Sequence, residues 1–132
     1  MKRVVVNGTF DIVHVGHLRM LQLARSLGDY VLVCIDTDRR VKQLKGSERP
    51  INNQHERSEL LMNLKTVDQV RLFDSEQELE QILEEYSADY LVKGSDHANG
   101  RGTALKYCKE IIYFDRIEQY STTKKIQDII GR

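Results

Sequence analysis

The stretch MKRVVVNGTFDIVHVGH, residues 1–17, decides the fold. Lys2–Val6 is a short β-branched run, and the Asn7-Gly8 pair that follows it signals a turn. Beyond His17, apolar side chains recur at helical spacing as far as Leu27, and Gly28 supplies a stop signal. The sequence therefore predicts a buried strand, a polar turn and a helix, which is how a β/α unit begins.

The same alternation continues along the chain. Further strands are predicted at Tyr30–Ile35, Val67–Phe73, Tyr90–Val92 and Glu110–Phe114. Helices are predicted from about Asn53 with Leu60, Leu61 and Leu64 as the apolar face, and at Ser75–Tyr86, Thr103–Lys109 and Ser121–Ile130. This order predicts an α/β fold: a single Rossmann-like domain over residues 1–132, with a mostly parallel five-stranded sheet and helices on both faces. Right-handed crossovers bring the carboxyl ends of the strands to one edge, where ligands bind in such sheets.

A basic segment, residues 39–52, separates the second strand from the next helix. It carries five cations and is broken by Gly46 and Pro50. We expect this segment to be irregular and mobile.

Composition narrows the class of function. The 132 residues hold 20 basic and 20 acidic side chains, so a nucleic-acid binder with a basic excess is disfavoured. No apolar run approaches the roughly 20 residues of a membrane span. The run Val4–Val6 is also too short for a signal-peptide core. Cys34 and Cys108 lack metal-like spacing, and we expect two reduced thiols in a cytoplasmic protein.

The turn after the first strand carries the chemistry. Gly8 and Gly16 would let the backbone approach a ligand, and the N-terminus of the following helix attracts anions. His14 and His17, three residues apart, can donate hydrogen bonds to one phosphate. A structural role, or a metal pair with Asp11, is also open on spacing alone.

The residues Gly8-Thr9-Phe10-Asp11 followed by His14-Val15-Gly16-His17 resemble the HxGH signature of the cytidylyltransferase-like nucleotidyltransferases. The resemblance extends over nearly the whole chain, including the helix with Arg57, the turn Lys93-Gly94-Ser95-Asp96 and the late Ser121-Thr122-Thr123. It implies direct attack by an acceptor phosphate on the α-phosphorus of a nucleoside triphosphate, with loss of pyrophosphate and no covalent enzyme intermediate. Such a reaction depends on positioning and charge stabilisation.

The resemblance also implies roles for individual residues. The implied catalytic residues are His14, His17, Lys45 and Arg57. The implied nucleotide-binding residues are Gly8, Thr9, Phe10, Asp11, Gly16, Lys93, Gly94, Asp96, Arg116, Ser121, Thr122 and Thr123. Mg²⁺ is expected as the cofactor, carried mainly by the triphosphate, with Asp11 orienting the loop or lying near the metal. The expected partners are an NTP, a small phosphorylated acceptor and a second copy in a homodimer, with no nucleic acid and no membrane.

Two subfamilies remain open. Leu44-Lys45-Gly46, Arg49-Pro50 and Asn52 resemble the adenylyltransferase domain of ADP-heptose synthase, although Thr9 stands where those enzymes often have cysteine. Gly8-Thr9-Phe10-Asp11 and the short chain look more like glycerol-3-phosphate cytidylyltransferase. Since the segment after the second strand lies on the acceptor side in this family, we favour a sugar-phosphate (heptose 1-phosphate type) adenylyltransferase. A non-catalytic nucleotide sensor on the same fold is a further alternative.

Overall fold

The structure, a computed structural model, describes residues 1–94, 106–115 and 121–131. In chain order its elements are β1 (Arg3–Gly8), α1 (Val15–Leu27), β2 (Tyr30–Asp36), α2 (Asp38–Lys45), α3 (Gln54–Met62), β3 (Gln69–Phe73), α4 (Glu76–Tyr86), β4 (Tyr90–Gly94), β5 (Glu110–Phe114) and α5 (Thr122–Ile130). Within these described ranges, no helix is long and apolar enough to cross a membrane.

The five strands form one parallel sheet in the order β3-β2-β1-β4-β5. The predicted α/β class and the five parallel strands are therefore confirmed. Because β1 lies between β2 and β4, the strand order reverses at β1. The turn that follows β1 thus lies at the position where parallel sheets bind ligands.

Alternating side chains of the central strands pack against helices on the two faces. Val4 and Val6 of β1 belong to a core cluster with Leu21 of α1 and Leu61 of α3. Val5 belongs to a second cluster on the opposite face, with Leu79, Ile82 and Leu83 of α4. Both faces are covered, as expected for nearly continuous apolar strands in a parallel sheet.

The basic segment differs from its prediction. Its first half is the helix α2, which begins after Thr37, whose hydroxyl accepts the N–H of Arg40. Only Val41 of this helix is buried. A helix with a single inward apolar residue among charges shows no apolar stripe, so its period could not be read from the sequence. Residues 46–53 form the loop between α2 and α3, and we call them the 46–53 loop.

The inward face of α3 also differs. Asn53 caps this helix as predicted, but Leu60 is 46% exposed. Leu61 is buried, and the residue one turn before it, Arg57, is fully buried. A guanidinium occupies the position where the pattern of leucines predicted only apolar contacts.

Candidate active site

Two histidines cap the N-terminus of α1. The N–H of Gly16 donates to Nδ1 of His14 at 3.1 Å, and the N–H of His14 donates to Nδ1 of His17, also at 3.1 Å. The two rings stack with centroids 3.9 Å apart. The capping contacts thus fix both imidazoles, and they use the Gly16 N–H that the sequence analysis had left for an anion.

This arrangement determines where each ring carries its proton. A neutral imidazole has one N–H, and Nδ1 of both rings accepts a hydrogen bond, so the proton lies on Nε2. Burial, followed by the charges of His14 and Lys45, lowers the pKa of His17 to about 3. Burial and the charge of Lys125 lower the pKa of His14. At neutral pH the pair is uncharged and can donate from two Nε2–H groups.

Thr9, Phe10 and Gly8 build the support beneath these rings. Phe10 has a φ of 54°, and its buried ring lies 4.9 Å from that of His17, centroid to centroid. A Cβ on Gly8 would lie only 2.9 Å from Cε2 of Phe10. Gly8 is therefore required for packing the Phe10 ring, whereas the sequence had suggested close approach to a ligand. The Thr9 hydroxyl donates to Asp36 at 3.0 Å.

Asp11 is 1% exposed and holds the 46–53 loop. One carboxylate oxygen accepts the N–H of Ile51 at 2.7 Å, and the other accepts the N–H of Asn52 at 2.9 Å. Of the two roles expected for Asp11, loop orientation agrees with these contacts. Placement beside a metal has no support from these contacts, because the carboxylate is buried against the loop.

Arg57 was expected to contact phosphate, but the structure places its side chain inside the protein. Its guanidinium is completely buried and donates to the carbonyls of Asn52 (2.9 Å) and Thr9 (2.8 Å). It also forms a 2.8 Å ion pair with Asp38 at the start of α2. Burial of a charge requires such partners. Arg57 thus joins α3, α2 and the turn after β1 from inside the protein.

Lys45 lies at the last position of α2 and is exposed. Its charge is close enough to His17 to lower the pKa of that ring. The orientation of α2 is fixed near its start, where Asp38 contacts Arg57 and where Arg40 donates to Asp36 at 2.9 Å. The charge of Lys45 thus acts on His17, and the catalytic role implied by the family resemblance stays a prediction.

The start of α5 lies against the same turn. Ser121 caps the helix by accepting the N–H of Lys124 at 3.0 Å, and the Thr122 hydroxyl donates to the carbonyl of Asp11. These contacts account for two of the three consecutive hydroxyls, and Thr123 is exposed. Sequence reasoning missed Lys125, whose charge lowers the pKa of His14. Its spacing of three residues from Thr122 places it on the same helix face and could have indicated it.

The remaining predicted residues lie on or after β4. Lys93 and Gly94 are the last two residues of this strand rather than the start of a turn, and Lys93 is largely buried. Asp96 and Arg116 lie outside the described residues. Among the residues that are described, no group of three or more His, Cys, Asp or Glu side chains could hold a metal ion.

Comparisons with known proteins identify the family of this chain. A family model described as cytidylyltransferase-like matches residues 5–128. Bifunctional protein HldE of Helicobacter hepaticus is 43% identical over 97% of this chain and 26% of its own length. Bifunctional protein HldE of Campylobacter fetus subsp. fetus is 38% identical over 97% of this chain and 28% of its own. The chain thus spans about a quarter of the length of these relatives.

A solved structure shares the fold of this chain. The crystal structure of the lipopolysaccharide core biosynthesis protein from Thermoplasma volcanium GSS1 matches with a TM-score of 0.70 at 28% identity. The match covers 92% of this chain and 99% of that one. With the capped histidine pair at the carboxyl end of β1, these matches establish that the chain belongs to the cytidylyltransferase-like family of nucleotidyltransferases.

Proposed function

We propose that the protein transfers AMP from ATP to the phosphate of a heptose 1-phosphate type of sugar phosphate and releases pyrophosphate. The observation that carries the nucleotidyl transfer is the pair His14 and His17, which presents two Nε2–H donors at the N-terminus of α1. The choice of ATP and sugar phosphate rests on Leu44–Asn52 and on the relatives named HldE, which are of the ADP-heptose synthase type.

The reaction requires charge stabilisation and positioning. An oxygen of the acceptor phosphate forms a bond to the α-phosphorus while the bond to the β-phosphate breaks, and the electron pair leaves with pyrophosphate. Negative charge on the phosphoryl oxygens is stabilised by donors that are already oriented. His14 and His17 fit this role, since their capping contacts hold both rings before the substrate arrives. As neutral donors they transfer no proton, and an ionised acceptor phosphate requires no base.

Two lysines near the histidine pair add positive charge that stabilises the phosphates. Lys45 approaches from α2 and Lys125 from α5, close enough for each charge to act on one of the two rings. Asp11 and Arg57 are positioning residues in this proposal, because their contacts are with the protein. Ser121, Thr122 and Thr123 place the start of α5 where its N–H groups and the Thr123 hydroxyl can receive the nucleotide phosphates.

Mg²⁺ belongs to the proposal as a companion of the triphosphate, where it would neutralise phosphate charge. Asp11 is a poor candidate for its ligand, since the carboxylate is 1% exposed and packs against the 46–53 loop. The expected homodimer and cytoplasmic location are likewise proposals. Light scattering of the purified protein tests the first, and cell fractionation tests the second.

Pyrophosphate release tests the substrates. The purified chain is supplied with ATP, CTP, GTP or UTP, each with a heptose 1-phosphate or with glycerol 3-phosphate. We expect release with ATP and the heptose phosphate. Release only with CTP and glycerol 3-phosphate would replace the adenylyltransferase by a cytidylyltransferase. Tight nucleotide binding with no release for any pair would indicate a nucleotide sensor.

A further inference from the structure

Arg49 is a half-buried cation in the 46–53 loop, and two of its nitrogen atoms have no hydrogen-bond partner among the described residues. Its side chain is only 15% exposed. Its Nε and Nη2 atoms are buried, and neither has a hydrogen-bond acceptor among the described residues. Among the described residues, Oδ2 of Asp11 forms an ion pair with Nε at 3.7 Å, which is beyond hydrogen-bonding distance. Buried donors in proteins nearly always have a partner, so these two atoms need one.

A second arginine shows the contrast. Arg57 donates to two carbonyls and a carboxylate, so its burial is explained by contacts within the protein. The carboxylate beside Arg49 offers no such explanation. Asp11 uses both oxygens for the N–H groups of Ile51 and Asn52, which fixes the loop and holds Arg49 in place. A planar guanidinium held in this way suits a phosphate, which can accept two parallel hydrogen bonds.

Asp11 also separates two flanks of the turn after β1. Its main-chain carbonyl accepts the hydroxyl of Thr122 on α5, which marks the α5 flank. Its carboxylate contacts the 46–53 loop, which marks the loop flank. In an in-line transfer, the attacking oxygen and the leaving pyrophosphate lie on opposite sides of the α-phosphorus. The start of α5 is the segment proposed above for the nucleotide phosphates, so the group that binds the attacking phosphate belongs on the loop flank.

We propose that Arg49 binds the phosphate of the acceptor, and that it is a specificity determinant for phosphorylated acceptors. This inference rests on the proposed nucleotidyl transfer to a phosphate. Arg49 donates through Nε and Nη2 to two phosphate oxygens. Asp11 positions the segment that carries Arg49 by accepting the N–H groups of Ile51 and Asn52.

Binding measurements separate this proposal from the proposed function. Calorimetry measures the Kd of ATP and of a heptose 1-phosphate for the wild type, Arg49→Gln, Arg49→Lys and the control Arg71→Gln. Arg71 pairs with Glu85 away from the site. For Arg49→Gln we expect the Kd of the sugar phosphate to rise at least about tenfold, with that of ATP within about twofold. Arg49→Lys keeps the charge and loses the planar guanidinium, so its Kd for the sugar phosphate should lie between those of the wild type and Arg49→Gln. The control should match the wild type.

Each other result overturns the inference. An unchanged Kd for the sugar phosphate in Arg49→Gln, or a rise for ATP instead, removes Arg49 from the acceptor site while leaving the reaction intact. If the wild type binds no phosphorylated acceptor, the proposed function fails and this inference with it. Should both Arg49 variants fail to fold, a crystal of the wild type with the sugar phosphate decides. Phosphate oxygens about 3 Å from Nε and Nη2 support the proposal, and a phosphate elsewhere contradicts it.

Discussion

Helices α1 and α3 both begin with a side chain that accepts a backbone N–H, but the capping groups differ. The amide oxygen of Asn53 accepts the N–H of Glu56 at 2.9 Å, which is the usual kind of cap. Nδ1 of His14 accepts the N–H of Gly16 at 3.1 Å. The amide oxygen that caps α3 is an acceptor and carries no hydrogen to donate. A neutral imidazole that caps through Nδ1 carries its hydrogen on Nε2, so α1 begins with a cap and a donor in one side chain.

The other caps of the described helices support this contrast. They are the hydroxyls of Thr37, Ser75 and Ser121. Only at α1, among these five helices, does a nitrogen take this position. In the proposed reaction, the start of α1 therefore has a second role that the start of α3 lacks.

Replacing His17 should have the largest effect. His17→Ala removes a pre-oriented donor, and we expect turnover to fall at least about 100-fold with the fold retained. Steady-state pyrophosphate release and circular dichroism measure the two quantities. His55→Ala, at an exposed histidine of α3, is the matched control. Near-normal turnover in a folded His17 variant would exclude this residue from the reaction.

His14→Asn separates the cap from the donor. Asparagine caps helices well, so the free energy of unfolding should change by less than about 0.5 kcal/mol. Turnover should still fall by about 10-fold to 100-fold, because the Nε2–H is lost. Urea unfolding and pyrophosphate release give both values. A variant with wild-type turnover would show that His14 acts only as a cap.

Protonation of His17 should break the cap, since Nδ1 then carries a hydrogen and cannot accept one. The folded-state pKa is lowered from 6.5 to about 3, so below 6.5 the unfolded chain binds this proton more tightly. Stability is complete above 6.5 and decreases as the pH falls below it, by at most about 1.4 kcal/mol per unit from this group. Urea unfolding at several pH values measures the slope. It should be smaller in His17→Asn and unchanged in His55→Asn, and equal slopes would contradict the assignment.

Asn53→Ala should have the smallest effect on the reaction. The loss of an oxygen cap costs about 1 kcal/mol of unfolding free energy. Turnover should stay within about twofold of the wild type, since Asn53 caps α3 and offers no donor to the substrate. Urea unfolding and pyrophosphate release measure both. A loss of turnover as large as that of His14→Asn would remove the distinction between the two helix starts.

Much of the fold followed from local patterns. Val4–Val6, Val31–Ile35 and the leucines of α4 are apolar runs and stripes whose periods predict their elements directly. Helix α2 was missed because Val41 is its only buried side chain. The family resemblance predicted site roles for His14, His17 and Lys45, because these residues match its motif or its basic positions, and these roles stay predictions.

The contacts that hold the site together could not be predicted from local sequence patterns. Arg57 meets Thr9 across 48 residues and Asp38 across 19, and Asp11 meets Asn52 across 41. Sequence spacing carries no information on contacts between such distant segments. Arg57 was therefore expected at the phosphates, and the loop residues that Asp11 contacts were not predicted. Arg49 was noticed as part of a charged segment, and only its burial distinguishes it from its neighbours.

The central claim is that His14 and His17 are neutral donors that cap through Nδ1 and present Nε2–H to a phosphate. Nitrogen-15 NMR of the imidazole rings tests it directly, with the wild-type protein recorded at pH 7 before and after addition of ATP. We predict that both rings carry their proton on Nε2 and that both Nε2 signals shift when ATP is added. Protonation of either ring at pH 7, a proton on Nδ1, or signals that do not respond to ATP would contradict this account.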